Sequence, residues 1–330
     1  MLYLISEKRN NLSKKIYIEK EVGNFFLYLK KNFYHFLKDN KNKYYIFGSI
    51  DGVYNKEKNL KKIDLSQIPK YLRQNNENLL SGVFTIIKIS FNNNIEVLSD
   101  YYRRSEVFYS LHNLKQISSS LEIFLKKKNK FDQIPIAHSL SIYGNRPFKS
   151  DTILKNVSRI MPNQFIKIIK NDIFVTENKF KPLEIKDYDN SILNNYCDAF
   201  LKNLRVKSSQ RMNIIYLSSG WDSTSILAGL VKVVNKNKIR CVIGRMIYSR
   251  GKCANLFEIS RAKKICKFFG VKLLIIDFDY YKPNKFLERN LFKFLSINQL
   301  ANITSINHYY LAKFVSKKFG KECSIYCGEI

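Results

Sequence analysis

The stretch from Asn213 to Val231, NIIYLSSGWDSTSILAGLV, restricts the fold more than any other part of this chain. Asn213 to Leu217 form an apolar-leaning run of strand length, as in a strand buried in a parallel sheet. After a Ser/Gly turn, Ile226, Leu227, Leu230, Val231 and Val234 recur at helical spacing. A strand running directly into a helix leaves the first helical amides without intrahelical partners. It also turns the positive helix end toward the turn, so the turn offers a place for an anion. Ser218-Ser219-Gly220-Trp221-Asp222-Ser223-Thr224 therefore reads as a phosphate cradle. It is not a Walker A loop, because no Lys follows the Gly at the required place. The plain alternative makes Asp222 an ordinary helix N-cap.

The flanking pattern repeats the same unit. Arg240 to Tyr248 and Val271 to Phe278 read as strands, and Cys323 to Cys327 as a fourth. Between them, Leu256, Ile259, Ala262, Ile265, Cys266 and Phe269 share one helical face that Gly270 closes. His308 to Phe319 is a second such helix, stopped by Gly320, and Ser191 to Val206 is a helix ahead of the first strand. Strands alternating with helices predict an α/β domain with a doubly wound parallel sheet, whose ligands lie beyond the carboxyl ends of its strands. Ser218, the segment Arg245 to Ser249, and Gly328-Glu329 all follow strands at that end.

The first half has a different rhythm. Residues 44–54, YYIFGSIDGVY, read as a strand ending in an Asp-Gly turn. Gly82 to Ser90, Ile95 to Ser99 and Val107 to Leu111 follow as short strands, with Asn92-Asn93-Asn94 as a hairpin connection. Residues 116–125 open with serines able to cap a short helix. Ile160 to Ile169 and Ile173 to Thr176, split by Lys170-Asn171-Asp172, make another hairpin. Repeated short antiparallel strands predict a separate α+β domain, with the boundary within residues 180–189. The first ~40 residues carry no comparably clear pattern.

The loop at Ser218 to Ser223 resembles the pyrophosphatase loop of N-type ATP pyrophosphatases (PP-loop proteins), Ser-Gly-Gly-x-Asp-Ser, in its asparagine synthase branch. Ser219 stands where that family usually has Gly, which requires a negative φ here. Gly328-Glu329 are similar to the start of the family's second signature, Gly-Glu-Gly-x-Asp-Glu, and the sequence stops at Ile330. The first half is similar to the family's glutaminase domain at Ser81-Gly82-Val83-Phe84, at Asp100 to Arg104, at Phe108-Tyr109, at Ile117 to Leu121 and at Ile160 to Asn163. In the last, Asn163 substitutes for Gly at a left-handed position.

The resemblance implies two domains: 1–185, a degenerate glutaminase-type, Ntn-hydrolase-like β-sandwich, and 186–330, a HUP-like PP-loop domain that is C-terminally incomplete. It also implies a reaction in which ATP, with Mg²⁺, adenylates a small-molecule carboxylate and releases pyrophosphate. Ammonia or an amine then displaces AMP to form an amide. Ser218, Ser219 and Gly220 would hold pyrophosphate, with Ser223 and Thr224 adding donors. Leu217, Ile243 and Gly244 would border the adenine, Asp222 would hold Mg²⁺ or cap the loop, and Glu329 would be catalytic.

Family glutaminases use a Cys directly after Met1. Here residue 2 is Leu, and the first Cys is Cys197. Leucine cannot supply a thiolate, so glutamine hydrolysis is not expected, and nitrogen would come from free ammonia, a substrate amine or a partner glutaminase. Asp51-Gly52, where an oxyanion element would sit, then has no task. Lys and Arg number 57 against 27 Asp and Glu, a net charge of +30. Those lysines are scattered through both halves, and nucleic-acid tracking calls for clusters. A tRNA-modifying PP-loop enzyme and an inactive scaffold are the two alternatives. Six cysteines without a Cys-x-x-Cys pair, no signal-peptide pattern and no membrane-length apolar run fit a reduced cytoplasm.

Overall fold

Tyr44-Tyr45-Ile46-Phe47 is an apolar run with no polar alternation, and the reason is that both of its faces are covered. Tyr45 and Phe47 enter one core, while Tyr44 and Ile46 enter another. The computed structural model describes residues 1–55, 60–73, 79–112, 114–125, 131–141, 150–177, 189–248, 251–279, 305–320 and 322–328. They form two units. One takes nearly all described residues up to Glu177, the other those from Asp189 onward. Among the described residues no helix is long and apolar enough to cross a membrane.

The first unit begins with β1 (Tyr3–Ser6), β2 (Tyr17–Val22), β3 (Phe25–Lys30), β4 (His35–Lys38), β5 (Asn42–Tyr54) and the two-residue β6 (Leu60–Lys61). After helix α1 (Ile68–Arg73) come β7 (Leu80–Ser90), β8 (Ile95–Ser99), β9 (Phe108–Ser110) and β10 (Gln116–Ser118). Helix α2 (Gln133–Ser141) precedes β11 (Ser158–Arg159), β12 (Gln164–Ile169) and β13 (Asp172–Glu177). One antiparallel sheet has the order β11-β9-β10-β1-β3-β2, the other β13-β12-β8-β7-β5-β4. Their facing side chains, among them Tyr3, Ile5 and Leu29 from one and Phe47, Ile87 and Val97 from the other, share a core. This is a sandwich of two sheets. Ile68 and Leu72 of α1 cover the outer face of the second sheet at Tyr44, Ile46 and Phe84.

Three local outcomes differ from or refine the sequence reading. The first 40 residues form four strands, and β2 and β3 turn at Gly23-Asn24, with Gly23 at φ +57°. Asp51-Gly52 is not a turn: β5 runs on to Tyr54, and the pairing with β7 shifts register between Ile50 and Gly52. The extra residue is absorbed as a β-bulge because β7 is long enough to pair with both halves of β5. Asn163 takes the left-handed conformation expected of it, at φ +65°.

Arg103 also adopts a left-handed φ, +57°, after a turn in which its amide donates to the Asp100 carbonyl. Its Nε and Nη1 are buried without a hydrogen-bond partner. Burial lowers its pKa to about 10, an effect the nearby Asp100 only partly offsets. The folded value lies below the unfolded one, so the buried cation costs stability at neutral pH, and this cost fades as pH rises through about 10. Arg103→Gly removes both the charge and the left-handed strain. At pH 7 it should stabilise the unit by about 1–2 kcal/mol, seen as a higher thermal midpoint, with the gain shrinking above the folded pKa.

The second unit is α/β. Helix α3 (Asn190–Lys207) precedes β14 (Met212–Tyr216), α4 (Trp221–Val233), β15 (Ile239–Ile247) and α5 (Leu256–Phe269). Then come β16 (Lys272–Asp279), α6 (Ser305–Phe319) and β17 (Cys323–Cys327). All pairings are parallel, in the order β16-β15-β14-β17. Ile214, Val242 and Phe278 face Leu311 and Val315 of α6. On the other face Ile215, Leu217 and Cys241 meet Leu227 and Leu230 of α4, Ile259 and Cys266 of α5, and Leu204 of α3.

Candidate functional site at the carboxyl ends of β14 and β17

The strand order decides where a ligand fits. The chain moves outward from β14 to β15 and β16, then returns across the sheet to place β17 on the other side of β14. That reversal leaves a crevice beyond the carboxyl ends of β14 and β17, the usual ligand position in open α/β sheets. Tyr216 pairs with Cys327, so the loop after β14 and Gly328 after β17 stand side by side. Their approach is close: a Cβ on Gly328 would lie 2.7 Å from Ser223 N and 3.1 Å from Asp222 Cβ.

The loop is held from within. Leu217 is 1% exposed in the core, and its amide donates to the Val242 carbonyl at 2.9 Å. Ser218 Oγ accepts the Gly220 amide at 3.1 Å and lies 2.9 Å from Ser223 Oγ. Ser223 is 1% exposed, and Thr224 Oγ1 donates to the Gly220 carbonyl at 2.8 Å. These two hydroxyls, expected to add donors for an anion, are engaged in shaping the turn, and so is the amide of Gly220. Ser219 keeps a negative φ, as its Cβ requires.

What remains free is a set of amides. Those of Ser219, Trp221, Asp222 and Ser223 donate to no described residue. Gly220, not Asp222, is the helix N-cap, at φ −82° and without a side-chain cap bond. Asp222 is the second helical residue, exposed, with no bond or ion pair to a described group. The N-cap alternative for Asp222 is therefore corrected. Trp221 and Asp222, the first two residues of the helix, are exposed, the former at 86%, whereas Ser223 is buried.

The strand beside the loop offers less than expected. Ile243 lies in the core against α4 and α5. At Gly244 a Cβ would lie 2.1 Å from the Phe278 ring, so that ring occupies the space above it. Arg245 makes a bidentate pair with Asp277, at 2.8 and 2.6 Å, which holds the Asp277 carboxyl below the usual range. One residue that patterning did not single out is Asn255. Its Nδ2 donates to the Gly244 carbonyl at 2.8 Å and its Oδ1 accepts the Met246 amide at 2.9 Å, fastening the segment after β15. An Asn immediately before a helix was the available signal. Glu329 lies outside the described residues, as does Ser249; Gly328, next to Glu329, is at the crevice.

Among the described residues no group of three or more His, Cys, Asp or Glu side chains is gathered to hold a metal. Asp222 alone suits an ion that arrives with phosphates, since Mg²⁺ on nucleotides commonly takes one or two protein carboxylates.

No family model matches the chain, and no curated protein matches it. Among solved structures it is similar to the glutamine-dependent NAD+ synthetase from Acinetobacter baumannii in complex with adenosine diphosphate, at 18% identity and a TM-score of 0.30. The match covers 52% of this chain and 34% of that one, so the chain spans about a third of that protein's length.

Proposed function

We propose that the second unit binds ATP at the crevice between β14 and β17, and that the protein is an ATP-dependent amide-forming ligase resembling asparagine synthase. The observation that supports this most is the group of unengaged amides at Ser219, Trp221, Asp222 and Ser223, gathered where the strand order reverses. Amides at a helix start attract phosphate oxygens through both hydrogen bonds and the helix dipole. In this reading they hold the pyrophosphate portion, and Ser218 and Gly220 keep the turn in shape. The Leu217 carbonyl and the backbone at Ile243 and Gly244 border the nucleoside.

Asp222 would hold Mg²⁺, which would offset the negative charge that pyrophosphate gathers on leaving. A carboxylate oxygen attacks the α-phosphorus and pyrophosphate leaves; ammonia or an amine then attacks the acyl carbon and AMP leaves. Glu329, following Gly328, would stand by that acyl carbon. The first unit is read as an Ntn-hydrolase-like glutaminase domain without its nucleophile. The amides of Leu2 and Tyr3 both donate to Ser119 Oγ, which ties the start of the chain to the segment after β10.

Exchange of labelled pyrophosphate into ATP, dependent on Mg²⁺ and an added carboxylate, is the expected result with the full chain. Amide formation should follow from ammonia and not from glutamine alone. No exchange across a broad carboxylate panel, together with no ATP binding at millimolar concentration, would leave the inactive scaffold as the reading. RNA that co-purifies and is released by salt would favour the tRNA-modifying alternative.

A further inference from the structure

A cavity of about 550 Å³ runs beside the phosphate loop, between α3 and α4. Its head is formed by Asp222 and Gly328, the residues that flank the crevice. Asp222, Ser225, Ile226, Gly229 and Lys232 line it from α4 at spacings that share one helical face. Lys232 is ten residue steps along the helix from Asp222, so the groove follows α4 for about 15 Å. Tyr196 and Phe200 form the wall from α3, their rings 6.4 Å apart and 8° from parallel. The helices close on each other at Gly229, where a Cβ would lie 2.4 Å from Leu204 Cδ1 and 2.9 Å from Phe200 Cε1.

The polarity of this lining is uneven. Among the described residues, Asp222 at the head and Lys232 toward the other end are its only charged residues, and neither is engaged by a described partner. Between them the described walls are mainly aromatic and aliphatic, with Ser225 and two cysteines as the exceptions. A small amino acid such as aspartate brings three charges, and burying charges without partners costs several kcal/mol at least. An alkyl or aryl chain gains about 25 cal/mol for each Å² it removes from water. The volume lies within the ~300–1,000 Å³ typical of small-ligand sites.

Resting on the ATP reading above, we infer that the groove between α3 and α4 takes the acyl substrate, and that this substrate is a carboxylic acid with an apolar body. Its carboxylate lies at the head, within reach of the free amides of α4 and of a nucleotide in the crevice. Its chain lies on Ile226 and Phe200. Asp222 repels a bare carboxylate, so a metal ion carried by the nucleotide strengthens binding. Lys232 favours a second carboxylate at the far end of the chain.

Calorimetric titration of the full chain with octanoate, octanedioate and aspartate tests this, each with and without Mg²⁺ and a non-hydrolysable ATP analogue. Octanoate should bind at least tenfold more tightly than aspartate, and more tightly with the analogue than without. Ala228 also lines the groove from α4, and Ala228→Phe, which fills it, should weaken octanoate at least tenfold while the analogue binds within twofold of the parent, which also reports folding. Lys232→Glu should reverse a preference for octanedioate over octanoate. Analogue binding with no octanoate binding, or octanoate binding indifferent to Ala228→Phe, overturns the groove assignment alone. Octanoate binding that Ala228→Phe removes, in a protein that binds no nucleotide, supports the groove and overturns the ATP reading instead.

Discussion

Replacing Gly48 with alanine should cost the sandwich unit about 2–5 kcal/mol, a large part of the ~5–15 kcal/mol that holds a typical domain together. Two effects add. Gly48 has φ +87°, a left-handed conformation that an L side chain adopts at a cost of about 1–2 kcal/mol. The new Cβ would also lie 2.1 Å from the Val83 carbonyl oxygen and 3.2 Å from Phe84 Cα. Those are backbone atoms of the neighbouring strand, so no rotamer change relieves the overlap, and forcing the strands apart costs a further ~1–3 kcal/mol.

Gly82 stands in the mirror situation, φ +152° with a Cβ position 2.2 Å from the Ser49 carbonyl oxygen. The two glycines let β5 and β7 approach where Gly48 pairs with Phe84 and Gly82 with Ile50. Because Tyr45, Phe47, Ile87 and Val97 depend on that pairing, the loss should spread through the shared core. Urea unfolding followed by far-UV circular dichroism should show a midpoint well below that of the parent. An unchanged midpoint would mean that the strands are free to separate at Gly48.

How far these features could be read from the chain depends on whether the signal was local. The second unit was legible because β14 and the first half of β15 are largely buried and its helices carry periodic apolar stripes, so these elements announced themselves within their own residues. The free amides of the loop followed from the strand–turn–helix junction alone. The first four strands did not announce themselves. Tyr17–Val22 places Glu19, Lys20 and Glu21 in a row between Ile18 and Val22 and is half-exposed along most of its length, which leaves no alternation to detect. Its turn at Gly23-Asn24 was the usable clue.

Asp51-Gly52 misled for the opposite reason. The local chemistry is that of a turn, and only the length of β7 makes it a bulge. Within the loop, patterning supplied the hydroxyls of Ser223 and Thr224 but not their direction, and direction decides whether they meet an anion or the turn's own oxygens. Tyr196 and Phe200 likewise fit a helix stripe, and nothing in the spacing separates a stripe that packs from one that lines a groove.

The loop can be tested at Gly328. Gly328→Val should lower nucleotide affinity at least tenfold, or about 1.4 kcal/mol or more, and destabilise the second unit by about 1–3 kcal/mol. The atoms in the way are Ser223 N at 2.7 Å, Asp222 Cβ at 3.1 Å and Ser223 Cα at 3.2 Å, all in the first turn of α4. Gly328 cannot withdraw, since the five residues before it are registered against Met212 to Tyr216. The body of α4 cannot withdraw either, because Leu227 and Leu230 are fully buried in the core. The helix start must therefore yield, and with it the amides that point at the crevice.

Gly220→Ala makes a control on the same loop. Gly220 already has φ −82°, and its added Cβ would meet only Ser218 Oγ, at 3.2 Å, an atom that can rotate away. That variant should unfold within about 1 kcal/mol of the parent, since no backbone atom is displaced. Equilibrium dialysis with labelled ATP measures both. If Gly328→Val, shown to be folded, retains ATP as the parent does, the amides at the start of α4 are not what holds the phosphates, and the nucleotide must be sought elsewhere on the sheet.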